Sequence, residues 1–278
     1  MDEPATQLVV FTDLDGCLLN KADYDWSAAE PMLRRLEHLG VPVVLSSSKT
    51  VAEMTELRQE LSVPEAPFIS ENGGVVRWPD SLLPHDAAST VPAENVAAAM
   101  SRAIILNVLA QLKKQFQFRS FVDLGVDGVM ANTDLPRDKA ELACQRHSTE
   151  PLLWDDTDEN VDIFRTKLTE QNLTLTKGGR FWHVAGHATK GQGMRQVADR
   201  YRETIPRGIT TAAIGDNPID QSMLDIADYP IGIPAVDGCM NVEVDPHRGI
   251  VASRDGAAGW AESVGQLLDQ LGFDDANQ

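Results

Sequence analysis

The hydrophobic positions near the start of the chain follow two different spacings. Short runs of apolar residues at 8–11, 41–45 and 67–70 are bounded by polar residues, which is typical of strands buried on both faces of a parallel sheet. Between these runs, apolar residues recur every three or four positions in 27–39 and from about residue 48, which predicts amphipathic helices. The alternation predicts an α/β fold, a doubly wound, Rossmann-like parallel sheet with helices on both faces.

The alternation stops after the third strand and resumes near residue 189. The segment between mixes helical spacing with short apolar runs, which predicts a separate α+β unit inserted into the parallel-sheet domain. In it we expect a hairpin arm at 75–78, strands at 152–154, 173–175 and 181–184, and helices at 93–116, 136–147 and 160–170. Helix, strand, helix and strand then follow at 189–201, 211–215, 219–227 and 230–233. The predicted division is a core domain of residues 1–81 and 186–278 and a cap domain of residues 82–185.

Composition and charge narrow the class of protein. The 278 residues are 42% hydrophobic and 24% charged, which is typical of a globular protein and enough for two domains. The formal net charge is −18, so we expect no binding to nucleic acid or to an anionic membrane. The apolar runs are too short to span a bilayer, and the first residues lack the character of a signal peptide. Three cysteines without metal-binding spacing argue against a disulfide framework or zinc site, and a cytoplasmic enzyme is expected.

Two carboxylates follow the first predicted strand. Asp13 and Asp15 come directly after the apolar run 8–11 and are followed by Gly16. In an open parallel sheet, ligands bind at the carboxyl ends of the strands. Carboxylates crowded at such a position repel each other unless a cation or a proton lies between them, and their oxygens suit Mg²⁺ better than Zn²⁺. The pattern therefore predicts an oxygen-liganded metal site at this strand end.

The Asp-Leu-Asp-Gly sequence at 13–16 resembles the first motif of the haloacid dehalogenase (HAD) superfamily of phosphotransferases. Candidates for its three further motifs follow in the same order along the chain. They are Ser47 in the segment 46–49, Lys190 in Thr-Lys-Gly at 189–191, and Asp216 in the acidic segment 215–220. Taken singly, these residues have ordinary explanations as a helix cap, a solvated lysine and an Asx turn. Four motifs in order indicate the superfamily.

The resemblance implies a mechanism for phosphomonoester hydrolysis. Asp13 would be the nucleophile that forms an aspartyl-phosphate, and Asp15 the general acid and then the general base. Ser47 and Lys190 would hold phosphate oxygens, and Lys49 stands where related sugar phosphatases carry Arg. The implied cofactor is Mg²⁺, with three ligands: the carboxylate of Asp13, the main-chain carbonyl of Asp15 and the carboxylate of Asp216. The implied partner is a small anionic sugar phosphate.

The chain departs from the superfamily pattern at three positions. Cys17 stands where the family usually has Thr, and Asn217 and Ile219 stand where its acidic motif commonly has Ser and Asn. Asp216 and Asp220 are retained, so the metal-binding part of that motif is intact. We interpret Cys17 as a small buried residue that fills the volume of Thr.

The predicted cap enters after the third strand, which resembles the subclass with an α+β, C2-type cap that acts mainly on sugar phosphates. Several segments within residues 8 to about 235 also resemble the mannosyl-3-phosphoglycerate phosphatases. They are 46–50, 67–74, 146–151 and 178–183. This resemblance implies mannosyl-3-phosphoglycerate as the substrate and mannosylglycerate, a compatible solute, as the product. The cap segment 131–135 keeps only part of that family's pattern.

The same segments supply candidates for substrate binding. Asn72, Gly73 and Gly74 follow the third predicted strand, where they form either a plain hairpin turn or a backbone site for a ligand. Arg180 is the first candidate for a bidentate contact between its guanidinium and the glycerate carboxylate, and Arg146 is the second. A surface salt bridge is the alternative for each arginine.

Two further residues and several other functions complete the sequence prediction. Lys49 would contribute to phosphate binding, and Trp182 would offer a face on which a sugar ring stacks.

Glucosyl-3-phosphoglycerate, sucrose phosphate or a hexose phosphate are alternative substrates, and a mutase would transfer the phosphate to a sugar hydroxyl instead of water. Outside enzymes, the alternative is a silent phosphate-binding scaffold, although such proteins typically lose the second Asp or the motif lysine. The sequence indicates no oligomeric state.

Overall fold

The computed structural model describes residues 6–63, 66–82, 94–95, 100–178 and 180–273. Its strands are β1 (Gln7–Thr12), β2 (Val43–Ser46), β3 (Phe68–Ser70), β4 (Val75–Arg77), β5 (Glu94–Asn95), β6 (Phe118–Ser120), β7 (Thr149–Trp154), β8 (Thr174–Lys177), β9 (Trp182–Ala185), β10 (Ile209–Gly215), β11 (Tyr229–Gly232) and β12 (Ile250–Val251). Its α-helices are α1 (Glu30–His38), α2 (Val51–Glu60), α3 (Arg102–Leu112), α4 (Phe121–Thr133), α5 (Arg137–Ala143), α6 (Asp158–Thr169), α7 (Lys190–Thr204), α8 (Gln221–Leu224) and α9 (Gly256–Gln270).

The larger sheet has the order β12-β11-β10-β1-β2-β3-β4-β5. The pairs from β12 to β3 are parallel, whereas β4 pairs antiparallel with β3, and β5 antiparallel with β4. The first strand lies at the centre, between β10 and β2, because its side chains are apolar on both faces. The predicted α/β fold with a parallel sheet is confirmed, and so is the hairpin arm at 75–78.

Helices cover both faces of the larger sheet. Leu8 and Val10 of β1 pack with residues of α1, α2 and α9 in one buried cluster. Val9 and Phe11, which point the opposite way, pack with residues of α7 and α8 in a second cluster. Alternate residues of one strand therefore belong to two separate hydrophobic layers, which is the doubly wound arrangement that the sequence predicts.

The smaller sheet is antiparallel, with the order β6-β7-β9-β8. Leu152 of β7 lies in a buried cluster with side chains from α3 and α6, and the next residue, Leu153, packs against a cluster built from α4 and α5. Helices therefore cover both faces of this sheet as well, and the predicted α+β character of the inserted unit is confirmed. We call this unit, residues 100–185, the cap.

Several predicted elements need correction. The helix predicted at 93–116 begins only at Arg102, because Glu94–Asn95 forms a strand at the edge of the larger sheet. Residues 93 and 96–99 of that prediction lie outside the described ranges, and the domain boundaries at 82 and 186 stay a prediction. The helix predicted at 219–227 is a 3-10 turn (Pro218–Asp220) followed by the short α8.

The sequence pattern does not predict α4 or α9, and glycine explains both omissions. Gly125 interrupts α4 with non-helical backbone (φ 60°), and α9 contains Gly256, Gly259 and Gly265. Glycine lowers intrinsic helix propensity by about 1 kcal/mol per residue relative to alanine, so tertiary packing must stabilise these helices. In α9 that packing includes Trp260, which is fully buried. Within the described ranges, none of the helices has the length and apolar character needed to cross a bilayer.

Replacement of Trp260 tests the contribution of α9. The Trp260 Nε1–H donates to Thr12 Oγ1 at 2.9 Å, one residue before Asp13, and the indole fills the space between α9 and β1. We expect Trp260→Ala to lower the free energy of unfolding by about 3–5 kcal/mol, because a large cavity replaces the indole. Urea denaturation measures the change. Ile163→Ala is the control, because Ile163 is 52% exposed on α6. A loss of less than about 1 kcal/mol for Trp260→Ala would contradict the assignment of α9 to the core.

Candidate active site

Three neighbouring strands of the larger sheet end at the same edge. Thr12 of β1 lies opposite Leu45 of β2 and Ile214 of β10. The residues that follow these strand ends include Asp13, Ser47 and Asp216. In a parallel sheet, carboxyl ends converge on one crevice, so the fold brings together three of the four predicted motifs. The fourth motif residue, Lys190, is the first residue of α7.

Lys190 is the buried cation of this site. Its Nζ lies 2.5 Å from Asp13 Oδ1 and 2.6 Å from Asp220 Oδ1, and the side chain is 3% exposed. Burial alone would lower the pKa of Lys190, but the charges of Asp13 and Asp220 outweigh that effect and raise it above its usual value. Lys190 is therefore positively charged in the site at neutral pH.

Asp13 has a strongly perturbed carboxyl group. Burial, together with the negative charge of Asp220, raises the pKa of Asp13 to about 7, although Lys190 acts in the opposite direction. A carboxylate held in this way beside a buried ammonium is desolvated and has little competition from water. Such an environment is found at functional sites and suits a nucleophile.

Asp216 and Cys17 complete the cluster around Asp13. One potential ligand atom from each of Asp13, Cys17 and Asp216 lies within 4.8 Å of the other two. Cys17 Sγ lies 3.8 Å from Asp216 Oδ1 and can donate to it, because burial raises the pKa of the thiol well above its usual value and keeps it protonated. Burial and the charge of Asp13 raise the pKa of Asp216 to about 6.

The donor set fits a hard divalent cation. Two buried carboxylates with raised pKa values gain from a cation that offsets their repulsion, and a protonated thiol offers no thiolate for a soft metal. Lys21 Nζ, on a largely exposed side chain, lies 3.6 Å from Asp216 Oδ2 and offsets part of that charge. Gly16 allows the close approach: its φ is +102°, and a Cβ at this position would lie 2.6 Å from Asp216 Oδ2.

Asp220 organises the loop that follows β10. Its Oδ2 accepts hydrogen bonds from the main-chain N–H groups of Asp216 (3.2 Å) and Asn217 (3.0 Å), while Oδ1 faces Lys190. The side chain of Asn217 accepts from the N–H of Ile219 at 3.3 Å, so the residues that depart from the superfamily pattern form an ordinary capped turn. These contacts of Asp220 are not predicted from the sequence, where its spacing from Asp216 is the available signal.

Asp15 is paired with Lys49. The Lys49 Nζ lies 2.9 Å from Oδ1 and 2.8 Å from Oδ2 of Asp15, and the Tyr24 ring centroid is 5.2 Å away. Burial would lower the pKa of Lys49, but the charge and hydrogen bonds of Asp15 raise it overall. The side chain of Asp15 is thus directed to Lys49, and the cluster of possible side-chain metal ligands in the described chain consists of Asp13, Cys17 and Asp216. The main-chain carbonyl of Asp15 stays a predicted ligand.

The turn after β3 packs against the loops that carry Ser47 and Lys190. Asn72 N–H donates to the Ser47 carbonyl at 2.9 Å, and Ser47 Oγ accepts from Lys49 N–H at 3.2 Å. Gly73 has φ +100°, and a Cβ there would lie 2.0 Å from the Thr189 carbonyl oxygen, beside Lys190. A Cβ at Gly74 would lie 1.9 Å from Ser148 Oγ in the cap. Residues 72–74 therefore connect β3 with β4, and their backbone packs on the loops that carry Ser47 and Lys190.

Glu71 is a buried glutamate that the sequence analysis missed. Its carboxylate accepts hydrogen bonds from the main-chain N–H groups of His147 (2.7 Å) and Ser148 (3.0 Å), and from the hydroxyls of Ser148 (3.3 Å) and Thr149 (2.6 Å). Its own N–H donates to the Lys49 carbonyl at 3.0 Å. Glu71 thereby joins the loop of Ser47 and Lys49 to the segment where the cap strand β7 begins.

The predicted substrate-binding arginines have different surroundings. Arg180 is 62% exposed, and its Nη1 donates to Asp134 Oδ2 at 2.9 Å and to the carbonyl of Asn132 at 2.8 Å. Arg146 instead reaches the core, where its Nη1 donates to the Ser48 carbonyl at 3.3 Å. The ring of Trp182 lies near Lys177 and Arg165. The contacts of Arg180 and Trp182 are thus within the cap, whereas Arg146 contacts the loop that carries Ser47 and Lys49.

Comparison with known proteins agrees with this geometry. The profile of the haloacid dehalogenase-like hydrolase family matches residues 10–234, which is most of the chain. The chain belongs to this family. The resemblance inferred from the four motifs is confirmed at that level.

Solved structures share the fold of this hydrolase. A Thermoplasma acidophilum protein is 17% identical, with a TM-score of 0.65, over 97% of this chain and 100% of its own. A Thermotoga maritima protein is 16% identical, with a TM-score of 0.63, over 95% of this chain and 97% of its own. A Bacteroides thetaiotaomicron protein, solved in a study of phosphatases of the HAD enzyme superfamily, is 14% identical, with a TM-score of 0.64, over 97% of both chains.

Replacement of Asp216 tests the electrostatic account of the cluster. Since the pKa of Asp216 is raised to about 6, its charge destabilises the folded state at pH 8, and this cost disappears as the pH falls towards 4. We expect Asp216→Asn in EDTA to raise the free energy of unfolding by about 1–3 kcal/mol at pH 8 and to have little effect at pH 4. Mg²⁺ should raise the melting temperature of the parent protein but not of the variant.

Thermal unfolding followed by circular dichroism measures these effects. Asp134→Asn is the control, because the Asp134 side chain is 81% exposed and lies in the cap. The account is wrong if Asp216→Asn melts at the parent temperature in EDTA at pH 8 and still responds to Mg²⁺.

Proposed function

We propose that this hydrolase is a magnesium-dependent phosphomonoesterase that acts through an aspartyl-phosphate on Asp13, and that mannosyl-3-phosphoglycerate is its substrate. The observation that carries the proposal is the buried contact between Lys190 and both Asp13 and Asp220, with Asp216 beside it. Phosphoryl transfer needs an in-line nucleophile and concentrated positive charge around the phosphate oxygens. At the carboxyl ends of the strands, the Asp13 carboxylate supplies the nucleophile and the Lys190 ammonium supplies positive charge.

Asp13 is the proposed nucleophile. One of its oxygens attacks the phosphorus, and the bond to the leaving alcohol breaks on the opposite side. Lys190 is directed at Asp13 Oδ1, so it neutralises the carboxylate before the attack and a phosphate oxygen during it. Asp220 keeps Lys190 in place, and the hydroxyl of Ser47 lies on the neighbouring loop as a donor to the phosphate.

Asp15 is the proposed acid and base. It protonates the leaving oxygen, and as a carboxylate it then removes a proton from the water that hydrolyses the aspartyl-phosphate. The Lys49 ammonium contacts Asp15 and holds its side chain in place for the second step. When a phosphate enters, Lys49 can exchange this contact for a phosphate oxygen while Asp15 carries the proton for the first step.

The ligands proposed for magnesium are the carboxylates of Asp13 and Asp216 and the main-chain carbonyl of Asp15. When bound there, Mg²⁺ would supply positive charge that stabilises the phosphate oxygens in the transition state. Members of the HAD superfamily generally use this ion.

Charge supports a small anionic substrate. The chain carries a net charge of −18, so its long-range field does not attract anions. The cations Lys49 and Lys190 act only at short range, inside the crevice.

The segments that resemble mannosyl-3-phosphoglycerate phosphatases include the turn after β3 and residues 146–151, which meet in the structure through Glu71.

Replacement of Asp13 tests the reaction. We expect Asp13→Asn to lower kcat for 4-nitrophenyl phosphate with Mg²⁺ by about a thousandfold or more, because the nucleophile is removed. The release of 4-nitrophenol measures the rate, and EDTA should abolish it in the parent protein. Asp162→Asn is the matched control, since Asp162 is exposed on α6 of the cap. A folded Asp13→Asn protein that keeps most of its rate contradicts the assignment, and a parent protein without turnover supports the scaffold alternative.

A panel of substrates tests the specificity. Phosphate release should be compared for mannosyl- and glucosyl-3-phosphoglycerate, sucrose phosphate, trehalose phosphate and simple hexose phosphates. We expect the highest kcat/KM for the two glycerate esters, because they carry a carboxylate beside the phosphate. A preference for a sugar phosphate that lacks the carboxylate would exclude the glycerate assignment.

A further inference from the structure

The cations near the carboxyl ends of β1, β2 and β10 differ in whether they have a carboxylate partner. Lys190 faces Asp13 and Asp220, Lys49 faces Asp15, and Lys21 faces Asp216. In the part of the chain that the structure describes, Arg146 forms no ion pair with a carboxylate. Within the described residues, an anion from outside the chain can therefore neutralise this charge without displacing a carboxylate.

Arg146 also has unused hydrogen-bond donors. Nη1 donates to the Ser48 carbonyl at 3.3 Å and to Thr149 Oγ1 at 2.9 Å. Nε is buried and has no acceptor, and both hydrogen bonds of the guanidinium to described residues come from Nη1. The Nε–H and one Nη2–H are parallel, and together they form the fork that binds a carboxylate with two hydrogen bonds. An unpaired buried donor is unfavourable, and an anion at this fork would remove that cost.

The position of Arg146 is fixed from three sides. Its guanidinium lies 5.5 Å from the centroid of Phe121, at the start of α4, and its Nη1 contacts link it to Ser48 and Thr149. Thr149 in turn donates to the buried carboxylate of Glu71 at 2.6 Å. Glu71 thus holds the segment 147–149 against the loop that carries Ser47 and Lys49. A guanidinium constrained in this way loses little conformational entropy when it binds a ligand.

The histidine next to Arg146 adds no second positive charge. His183 lies on β9, opposite Pro151 of β7, and burial together with the positive charge of Arg146 lowers the pKa of His183 to about 4. The imidazole is therefore neutral at physiological pH. An anion near Arg146 meets one full positive charge and an uncharged ring.

We infer that Arg146 is the specificity-determining residue that binds a second anionic group, a carboxylate, on the leaving alcohol of the substrate, and that Glu71 is the positioning residue that holds it at the catalytic loop. The inference rests on the proposed function, since the phosphate must bind at Asp13 for the leaving group to extend towards the cap. It assigns the carboxylate to Arg146 rather than to Arg180, whose guanidinium is paired with Asp134.

A matched pair of small phosphate esters tests the inference. 3-Phosphoglycerate and glycerol 3-phosphate differ in a carboxylate against a hydroxymethyl group, and phosphate release with Mg²⁺ gives kcat and KM for both. We expect the parent protein to prefer 3-phosphoglycerate by about tenfold or more in kcat/KM, as one charge-assisted hydrogen-bond pair allows. Arg146→Met should remove this preference by raising KM for 3-phosphoglycerate, and should change kcat/KM for glycerol 3-phosphate by less than about threefold. Arg146→Lys, which keeps the charge without the fork, should give an intermediate preference.

The matched control is Arg180→Met, which should leave the preference unchanged. Glu71→Gln keeps the shape of the side chain but weakens its hydrogen bonds, and should lower the preference for 3-phosphoglycerate while 4-nitrophenyl phosphate turnover persists. Circular dichroism and thermal unfolding report whether each variant is folded, and Arg146→Lys serves if Arg146→Met is not.

The outcomes separate the inference from the proposed function. Absence of a preference in the parent protein, equal losses on both esters in Arg146→Met, or loss of the preference in Arg180→Met would each overturn the role of Arg146. Absence of turnover with every phosphate ester would overturn the proposed function instead. In that case, the rise in melting temperature with 3-phosphoglycerate compared with glycerol 3-phosphate still tests Arg146, because it measures binding alone. A larger rise with 3-phosphoglycerate in the parent but not in Arg146→Met would support the inference, and equal rises would contradict it.

Discussion

The structure depends on how one buried ammonium is held between two buried carboxylates. Lys190 contacts Asp13 and Asp220 at the edge of the larger sheet, and a third carboxylate, Asp216, lies beside them. Without Lys190, these charges would be desolvated and would repel each other, which costs several kcal/mol for each unpaired buried ion. The fold therefore has to bring the start of α7 against the ends of β1 and β10. Gly73 makes this possible on one side, because any side chain there would collide with the carbonyl of Thr189.

The same turn transmits this arrangement to the cap. Glu71, two residues before Gly73, uses both carboxylate oxygens to bind the segment 147–149, and its main chain binds the loop of Lys49. A buried carboxylate must have its acceptor positions satisfied. The position of the turn therefore also fixes the position of the cap segment 147–149. The position of Arg146 beside the loop of Ser47 and Lys49 is therefore coupled through Glu71 to the packing that fixes Lys190.

The sequence predicted the parallel sheet and the four motifs because both are local signals. An apolar run such as 8–11 is buried on both faces wherever it lies, and the motif residues follow such runs directly. The helix α4 was missed because Gly125 adopts non-helical backbone inside it, and α9 because its stability comes from packing rather than propensity. Glu71 was missed for another reason. Its partners lie 76–78 residues away in the chain, and a glutamate at the end of a strand has no local sign of such contacts.

The two predicted arginines show what local sequence resemblance does not distinguish. Both lie in segments with a family-like sequence, and only three-dimensional contacts distinguish them: Arg180 meets Asp134 on the exposed side of the cap, and Arg146 meets Ser48. In a chain with a net charge of −18, a cation without a carboxylate partner requires a structural reason, since acceptors are abundant. Here the reason is geometric. Phe121, Thr149 and Ser48 hold the guanidinium without a direct carboxylate contact, which leaves its charge available at short range, whereas the net negative charge of the chain repels anions at long range.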